Sequence, residues 1–256
     1  MRVTVLGCGP SWGVPRIGGE WGACDPQNPR NRRRRCSVLV EEGGATLLID
    51  TSPDLREQLL DAQVRRTDAV LFTHAHADHL HGIDDLRSVN RLMESAIPVF
   101  ASTETLAEIS RRFGYVFTPV QPDRLSAYYK PVLEPRPIDG PFVAGGIAVT
   151  PFDQDHGFSQ TLGFRIGGFA YSTDVIDLDE AAFAALAGVE VWIVDCIRRT
   201  PHVTHAHLEK TLAWIARAKP RRAVLTHMDE SLDYATLRRE LPDGVEPGYD
   251  GLVIDL

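Results

Sequence analysis

Three histidines and an aspartate stand within one short segment, from His74 to His79, which we call the histidine box. Imidazole nitrogens and carboxylate oxygens are ligands that Zn, Mn and Fe all accept. The box directly follows the apolar run Ala69–Phe72, which predicts a buried strand with the box on the loop at its end. Because four such groups are costly to gather without a cation between them, the spacing predicts a metal site.

A site for two metals needs more ligands than this box supplies, and single candidates follow three later apolar runs. His156 follows the run 149–152, Asp174 follows the run 169–172, and His227 follows the run 224–226. Strands deliver such side chains to the edge of a sheet at their ends. We therefore expect these three residues to complete the metal site with the histidine box.

This order of motifs resembles that of the metallo-β-lactamase fold superfamily, over essentially the whole chain. The resemblance implies an α/β fold, a four-layer αβ/βα sandwich, which spans residues 1–256 as a single hydrolase domain with a dinuclear metal site at the sheet edge. It implies two divalent metal ions as cofactors, Zn or Mn, with Fe also compatible with these ligands. The implied ligands are His74, His76 and His156 for one ion, and Asp78, His79 and His227 for the other, with Asp174 as a bridge.

An aspartate bridge suits phosphoryl chemistry, because it draws two metals to about 3.5–4 Å, a spacing fitted to clamping a phosphoryl group. Antibiotic-hydrolysing members of the superfamily typically carry a cysteine here, so Asp174 argues against antibiotic hydrolysis. Asp50, which closes the apolar run 47–49, resembles the early aspartate of the superfamily. We expect it to accept hydrogen bonds that orient metal ligands. The alternative is a cap for the helix that follows.

A finer resemblance connects the chain to the phosphodiesterases of bacterial phosphonate breakdown (PhnP-like), which open 5-phosphoribosyl 1,2-cyclic phosphate. The residues that carry it are Gly7-Cys8-Gly9, Gly13-Val14-Pro15, Cys36-Ser37, Val194-Asp195-Cys196, His205 with Leu208, and Tyr249-Asp250-Gly251. That family also holds a structural zinc with cysteines of its first long loop and an extra histidine. Here only Cys24 is retained and Glu230 replaces the histidine, so we predict no structural zinc, and the exact substrate stays open.

The resemblance implies hydrolysis of a phosphodiester, with a small cyclic phosphate as the expected type, by attack of a hydroxide held between the metals. His205 matches a histidine that assists cleavage in this family, and imidazole suits that role because it titrates near neutral pH. Its alternative is an exposed helix-cap histidine. Asp78 is assigned to catalysis as well as to metal binding. Arg35 and Arg87 are candidates for holding a second anionic group of the substrate.

The composition narrows the choice of partners. A formal net charge of −8 argues against a general nucleic-acid binder, and no apolar run is long enough to span a bilayer. We expect a small anionic phosphodiester substrate, with nucleic acid and membranes disfavoured. The arginine-rich loop 30–35 is either solvated or a contact to that substrate. The alternative functions are a tRNA 3′-processing endoribonuclease, a thioester hydrolase and a metal-binding module without turnover.

Four scattered cysteines do not make a disulfide framework, and the N-terminus shows no signal-peptide anatomy, so we expect a cytoplasmic protein. The sequence does not fix the native metal or the oligomeric state; a homodimer is one state it allows.

Apolar runs come in clusters as well as alternating with helical segments, which predicts mixed sheets covered by helices. The predicted strands are Val3–Leu6, Ser37–Val40, Thr46–Ile49, Ala69–Phe72, Pro98–Ala101, Ile147–Pro151, Leu162–Ile166, Phe169–Ser172, Val191–Asp195, Ala223–Thr226 and Leu252–Asp255. The predicted helices are Pro53–Ala62, Gly82–Met93, Thr103–Arg112, Leu178–Leu186, His207–Ala218 and Ser231–Leu241. Two proline-rich segments, 9–35 and 113–141, are predicted to be long loops and candidate walls of a substrate pocket.

Overall fold

A computed structural model describes residues 1–119 and 129–256. In these ranges the chain forms two mixed sheets of seven strands each. The strands are β1 Arg2–Gly7, β2 Ser37–Glu42, β3 Ala45–Ile49, β4 Ala69–Leu71, β5 Ile97–Ala101, β6 Leu133–Pro137, β7 Phe142–Ala144, β8 Ile147–Asp155, β9 Gln160–Ile166, β10 Phe169–Ser172, β11 Val191–Asp195, β12 Arg222–Thr226, β13 Val245–Pro247 and β14 Val253–Asp255. The helices are α1 Leu55–Asp61, α2 Ala77–Leu80, α3 Leu86–Met93, α4 Thr103–Phe113, α5 Glu180–Ala185, α6 Leu208–Ala218 and α7 Tyr234–Glu240.

The two sheets repeat one pairing scheme. The first has the order β14-β1-β2-β3-β4-β5-β6 and the second the order β13-β12-β11-β10-β9-β8-β7. In the first sheet β3 to β6 pair in parallel, and in the second β10 to β13 do so. The other neighbours pair antiparallel. Each sheet therefore presents a group of parallel strands whose carboxyl ends share one edge.

Side-chain alternation along the strands builds two cores. Leu47 and Ile49 of β3 belong to the core between the sheets, whereas Leu48 belongs to a second core against α1, α3 and α4. On the other side, Trp214 of α6 and Leu237 of α7 pack with the second sheet. The result is the four-layer α/β/β/α sandwich that the family resemblance implies.

Several predicted boundaries move. The segment Gly82–Met93 is a short 3-10 turn followed by α3, and α1 begins after Pro53. The histidine box was predicted to be a loop, but its second half forms the short helix α2. The reason is local: the hydrogen bond from the His81 N–H to the Ala77 carbonyl closes one helical turn.

The sequence misses β6, β7 and β13, and all three are edge strands. β6 contains Pro135 and Pro137 and β13 ends at Pro247, residues that hide a strand from pattern analysis but are tolerated at an edge. Within the predicted loop 113–141, residues 120–128 lie outside the described part of the chain, and the rest includes the end of α4 and all of β6. None of the described helices is long and apolar enough to cross a membrane.

Candidate metal centre

The carboxyl ends of the parallel strands carry most of the candidate ligands. The histidine box follows β4, Asp174 follows β10 and His227 follows β12. The remaining candidate, His156, follows β8 in the antiparallel part of the second sheet. Because both sheets end at the same edge of the sandwich, seven side chains from distant parts of the sequence meet there.

These side chains form two sets that share Asp174. Within each set the potential ligand atoms all lie within 4.8 Å of one another. The sets are His74, His76, His156 and Asp174, and Asp78, His79, Asp174 and His227. All of them are buried except His76, which is exposed on the cleft side. The structure thus brings together every residue that the resemblance implies as a metal ligand, in the implied grouping.

The two carboxylate oxygens of Asp174 divide between the sets. Its Oδ1 lies 3.7 Å from the Nε2 atoms of both His74 and His156. Its Oδ2 lies 3.0 Å from His79 Nε2 and 3.5 Å from His227 Nε2. One carboxylate oxygen therefore faces each set, which is the geometry of a bridging ligand.

Asp50 orients histidines of both sets. Its Oδ2 accepts a hydrogen bond from His79 Nδ1 at 2.7 Å and from the Thr73 hydroxyl at 2.8 Å. Since the single hydroxyl proton of Thr73 goes to Asp50, its oxygen is left to accept from His74 Nδ1, at 2.9 Å. Fixing both Nδ1–H groups leaves both Nε2 atoms to bind metal.

A third histidine is fixed by the backbone. His156 Nδ1 donates to the carbonyl oxygen of Thr204 at 2.8 Å, so its Nε2 also turns toward the shared aspartate. This partner is a main-chain group, which a sequence motif does not mark.

Unsatisfied polar atoms and charge show that the residues present fit two cations. The Nε2 atoms of His74, His79 and His227 are buried without a hydrogen-bond partner, a costly state that metal coordination would relieve. Burial alone would lower the pKa of His79, but the three carboxylates around it raise that pKa well above its usual value. The site therefore concentrates negative charge that divalent ions would balance.

Three residues of the site have left-handed backbone conformations. The φ angles are 61° at Asp50, 55° at Asp174 and 58° at His227. A non-glycine residue in this region costs on the order of 1 kcal/mol, and such strain persists where the surrounding structure imposes it. Asp50 and His227 directly follow a strand and Asp174 lies two residues beyond one, so each turn aims its side chain at the sheet edge.

His205 lies beside the centre and is held by Asp195. Its Nδ1 donates to Asp195 Oδ2 at 2.9 Å, and its Nε2 lies 3.8 Å from Asp174 Oδ1. Burial alone would lower the pKa of His205, but Asp195 raises it to about 9, above the neutral value assumed from sequence. The ring is buried, which excludes the alternative of an exposed helix-cap histidine.

A cleft with a volume of about 340 Å³ opens over the two sets. Its floor includes His76, Asp78, His156, Asp174, His205 and His227, and its walls include Ser11, Trp12, Phe158, Ser159, Ile197, His202 and Thr204. The predicted loop 9–35 thus supplies one wall. None of the described residues of segment 113–141 lines this cleft, and residues 120–128 of the segment lie outside the described part of the chain.

The arginines predicted to contact substrate lie elsewhere. Arg35 pairs with Asp54 at 2.9 Å, and exposed Arg87 lies 3.8 Å from Asp84 on the helix side. Neither lines the cleft.

The rest of the arginine-rich loop 30–35 is mainly structural. Arg34 pairs with Asp61 at 2.6 Å. Arg33 is fully buried and donates to the carbonyl oxygens of Asp229 at 2.9 Å and Leu232 at 2.6 Å, in the segment that follows His227.

The sequence analysis assigned no role to two residues that hydrogen-bond to the site, Asp195 and Thr73. Asp195 ends a buried strand just as Asp174 nearly does, and that shared position was the available signal. Thr73 precedes the histidine box, but nothing in its type marks it as a link to Asp50. All four cysteines are free and buried, and burial raises the pKa values of their thiols.

Comparison with known proteins agrees with this geometry. The chain matches the beta-lactamase superfamily domain over residues 45–228. A solved structure of a new diphosphatase from the PhnP family superposes with a TM-score of 0.90 and 32% identity, covering 100% of this chain and 97% of that one.

This chain covers a smaller share of two curated relatives. An octanoyltransferase of Porphyromonas gingivalis is 35% identical over an alignment of 262 positions, which covers 98% of this chain and 51% of the relative, so the chain spans about half of that protein. A ribonuclease Z of Bradyrhizobium sp. is 41% identical over 70 residues, 27% of this chain and 23% of the relative. With the family match covering most of the chain and the same sandwich in the PhnP-family structure, this chain belongs to the β-lactamase superfamily and has the metallo-β-lactamase fold.

Proposed function

We propose that this metallo-β-lactamase-fold hydrolase cleaves phosphodiesters, with small cyclic phosphates among its substrates. The observation that carries the proposal is the division of Asp174 between two ligand sets, with His205 on the cleft side of the same carboxylate. Similarity to a diphosphatase of the PhnP family supports hydrolysis at phosphorus.

The residues present would hold two divalent ions, Zn, Mn or Fe. His74, His76 and His156 would hold one, Asp78, His79 and His227 the other, and Asp174 both. When bound, such ions supply Lewis acidity: they neutralise phosphoryl charge and make water a nucleophile near neutral pH.

The side chains of the site hold a proton donor in position beside the proposed metal ions. Asp195 fixes His205 by its Nδ1–H, so the Nε2 atom is left facing the cleft, within reach of an oxygen that leaves phosphorus. We assign His205 as the general acid that protonates the leaving oxygen. Asp78 lies on the cleft floor 3.6 Å from His227 Nε2, where it would fix the second ion.

The other functions are weaker fits. A ribonuclease of the tRNA-processing type needs basic surface to grip RNA, whereas the chain carries a net charge of −8 and the described cleft walls contain no arginine or lysine. Acyl transfer by a cysteine nucleophile needs an accessible thiolate, whereas every thiol here is buried with a raised pKa.

Metal-dependent turnover of bis(p-nitrophenyl) phosphate tests the proposal. We expect no release of p-nitrophenolate after chelation, and recovery with Zn or Mn at about two ions per chain. His79→Ala should abolish this recovery, while His81→Ala, at an exposed histidine of the same segment outside both sets, should retain it.

Three further outcomes separate the alternatives. Hydrolysis of an octanoyl thioester without phosphodiester cleavage would indicate a thioester hydrolase. Cleavage of a tRNA precursor, with no activity on small diesters, would indicate the ribonuclease. Two bound metals without turnover of any of these substrates would overturn the proposal in favour of a binding module.

A further inference from the structure

We propose that the cleft accepts phosphodiesters carrying a flat aromatic ring, such as a nucleobase, and holds that ring with Trp12 and Phe158. This inference rests on the proposed function, because it names the substrate class of the same site. Both side chains line the cleft above the two ligand sets, and they come from different loops. Neither has a role in the proposed hydrolysis step.

Phe158 is an exposed aromatic ring on a well-braced turn. Its side chain is 90% exposed although it lines the cleft, which leaves apolar surface in water at the mouth of the site. The turn is closed because the His156 N–H donates to the Ser159 carbonyl and the Phe158 N–H to the His156 carbonyl, both at 2.9 Å. Phe158 is therefore placed relative to a metal ligand before any substrate arrives.

The same turn is also packed from outside. Gly157 has a φ of 76°, and a Cβ there would lie 2.7 Å from the Val203 carbonyl oxygen. The turn thus packs closely against the segment that carries His205. The Phe158 ring is therefore exposed even though the backbone that carries it is held in place by these contacts.

Trp12 is braced by two other residues. Its Nε1–H donates to Glu230 Oε2 at 3.0 Å, and the guanidinium of Arg16 lies over its ring, 4.5 Å from the centroid. Arg16 also pairs with Glu230 Oε1 at 2.6 Å, which closes the group of three. Since Glu230 follows His227 by a short segment, Trp12 is connected to the second ligand set as Phe158 is to the first.

The side chains that line the cleft favour a phosphodiester with a neutral ring over one with a second phosphate. Among the described residues that line it there is neither an arginine nor a lysine, and Arg35 and Arg87 are paired elsewhere. A second phosphate on the substrate would find no arginine or lysine side chain to pair with among the described residues that line the cleft. A neutral flat ring would find two aromatic side chains, and stacking of a base on an aromatic side chain strengthens binding about 5- to 100-fold.

Matched substrates with one leaving group test this. The metal-loaded protein is given methyl p-nitrophenyl phosphate and the p-nitrophenyl ester of thymidine 5′-phosphate, and kcat/KM is compared. We expect the thymidine ester to be preferred about 5- to 100-fold, mainly through KM. Trp12→Leu and Phe158→Leu, which keep apolar bulk but remove the flat ring, should each reduce this ratio. Ile17→Ala, at a fully exposed residue outside the cleft lining, should leave the ratio unchanged.

Binding of product analogues gives a readout that needs no turnover. By calorimetry, thymidine 5′-phosphate should bind more tightly than methyl phosphate, with the difference reduced in both leucine variants. Thymidine 3′,5′-bisphosphate should bind no tighter than the monophosphate.

The outcomes distinguish this inference from the proposed function. Equal affinity for the monophosphate and methyl phosphate, or an unchanged preference in both leucine variants, would overturn the aromatic subsite while phosphodiester hydrolysis stands. A gain in affinity from the second phosphate would overturn the charge argument. Absence of all ester hydrolysis, with selective binding of the thymidine nucleotide retained, would overturn the proposed function and leave the subsite.

Discussion

Asp195 and His205 are joined by a buried hydrogen bond of 2.9 Å, from the ring Nδ1 to the carboxylate Oδ2. The same carboxylate oxygen accepts the Val175 N–H at 3.0 Å, next to Asp174. The proposed general acid and the proposed bridging ligand are therefore aligned by one aspartate that belongs to neither of the two sets that share Asp174.

Removing His205 should slow catalysis without removing metal. For the metal-loaded His205→Ala protein we expect kcat to fall by about 10²- to 10⁴-fold, the range typical of a lost general acid. Asp195→Asn, which keeps the shape but removes the charge, should cause a smaller loss. Turnover is measured with bis(p-nitrophenyl) phosphate and metal content by elemental analysis.

The control for this pair is His207→Ala, at a histidine of the same turn outside the cleft lining. It should keep wild-type kcat. A fall in metal content in His205→Ala would instead identify His205 as a ligand, and a wild-type rate would exclude it from catalysis.

Asp50→Asn should weaken both metal sites at once. Its carboxylate is the acceptor for His79 directly and for His74 through Thr73, and loss of such a partner typically costs 10- to 100-fold in metal affinity. Competition with a chromophoric chelator measures the affinities of both sites. Asp54→Asn, at a half-buried aspartate paired with Arg35, is the matched control and should have no effect. Weakening of one site alone would contradict the link through Thr73.

Arg33 and Arg32 offer a paired test of structure in the arginine-rich loop. Arg33 is buried with its donors on main-chain carbonyls, whereas the adjacent Arg32 is exposed. Hydrogen bonds to charged groups contribute about 1.5–3 kcal/mol each. Arg33→Met should therefore lower the free energy of unfolding by about 3–5 kcal/mol, and Arg32→Met by no more than about 0.5 kcal/mol. Urea denaturation measures both, and similar values for the two variants would refute the structural role.

Asp250 should make stability depend on pH. Its carboxylate accepts the N–H groups of Cys8 at 3.2 Å and Arg34 at 2.8 Å, but burial raises its pKa from 3.8 to about 7. Between these values the folded protein keeps a proton that the unfolded chain loses, so the contribution of Asp250 to stability falls as pH rises and is constant above the folded pKa.

Asp250→Asn mimics the protonated carboxyl and should flatten this slope. Relative to wild type, the free energy of unfolding of the variant should rise by up to about 4 kcal/mol between about pH 4 and pH 7. Both proteins are unfolded in urea under identical metal conditions, with Asp255→Asn at an exposed aspartate as control. A difference between variant and wild type that stays constant with pH would disprove the assignment.

The candidate ligands could be predicted from sequence because each is a polar residue at the end of an apolar run. The histidine box, Asp174 and His227 all satisfy that rule, and strand ends meet at a sheet edge whatever the detailed topology. The edge strands β6 and β13 could not be predicted, since their prolines break the local pattern and only pairing with a neighbour defines them.

Other features depend on tertiary contacts that residue types do not encode. Arginine is usually found on the solvated surface. The guanidinium of Arg33 is nevertheless buried, because it donates hydrogen bonds to carbonyl oxygens far along the chain. Arg35 was predicted to contact substrate because it lies in an arginine-rich loop, but its guanidinium pairs with Asp54. The hydrogen bond from His156 to the Thr204 carbonyl likewise involves a backbone group, which any residue at position 204 could supply.

The sharing of each ligand set between the two sheets has a mechanical consequence. The histidine box belongs to the first sheet, and His156, Asp174 and His227 to the second, so neither sheet alone can complete either set. Bound ions would act as two crosslinks across the sandwich, closing chain loops between distant strands. By linkage they would stabilise the docking of one sheet on the other as well as the chemistry at their edge.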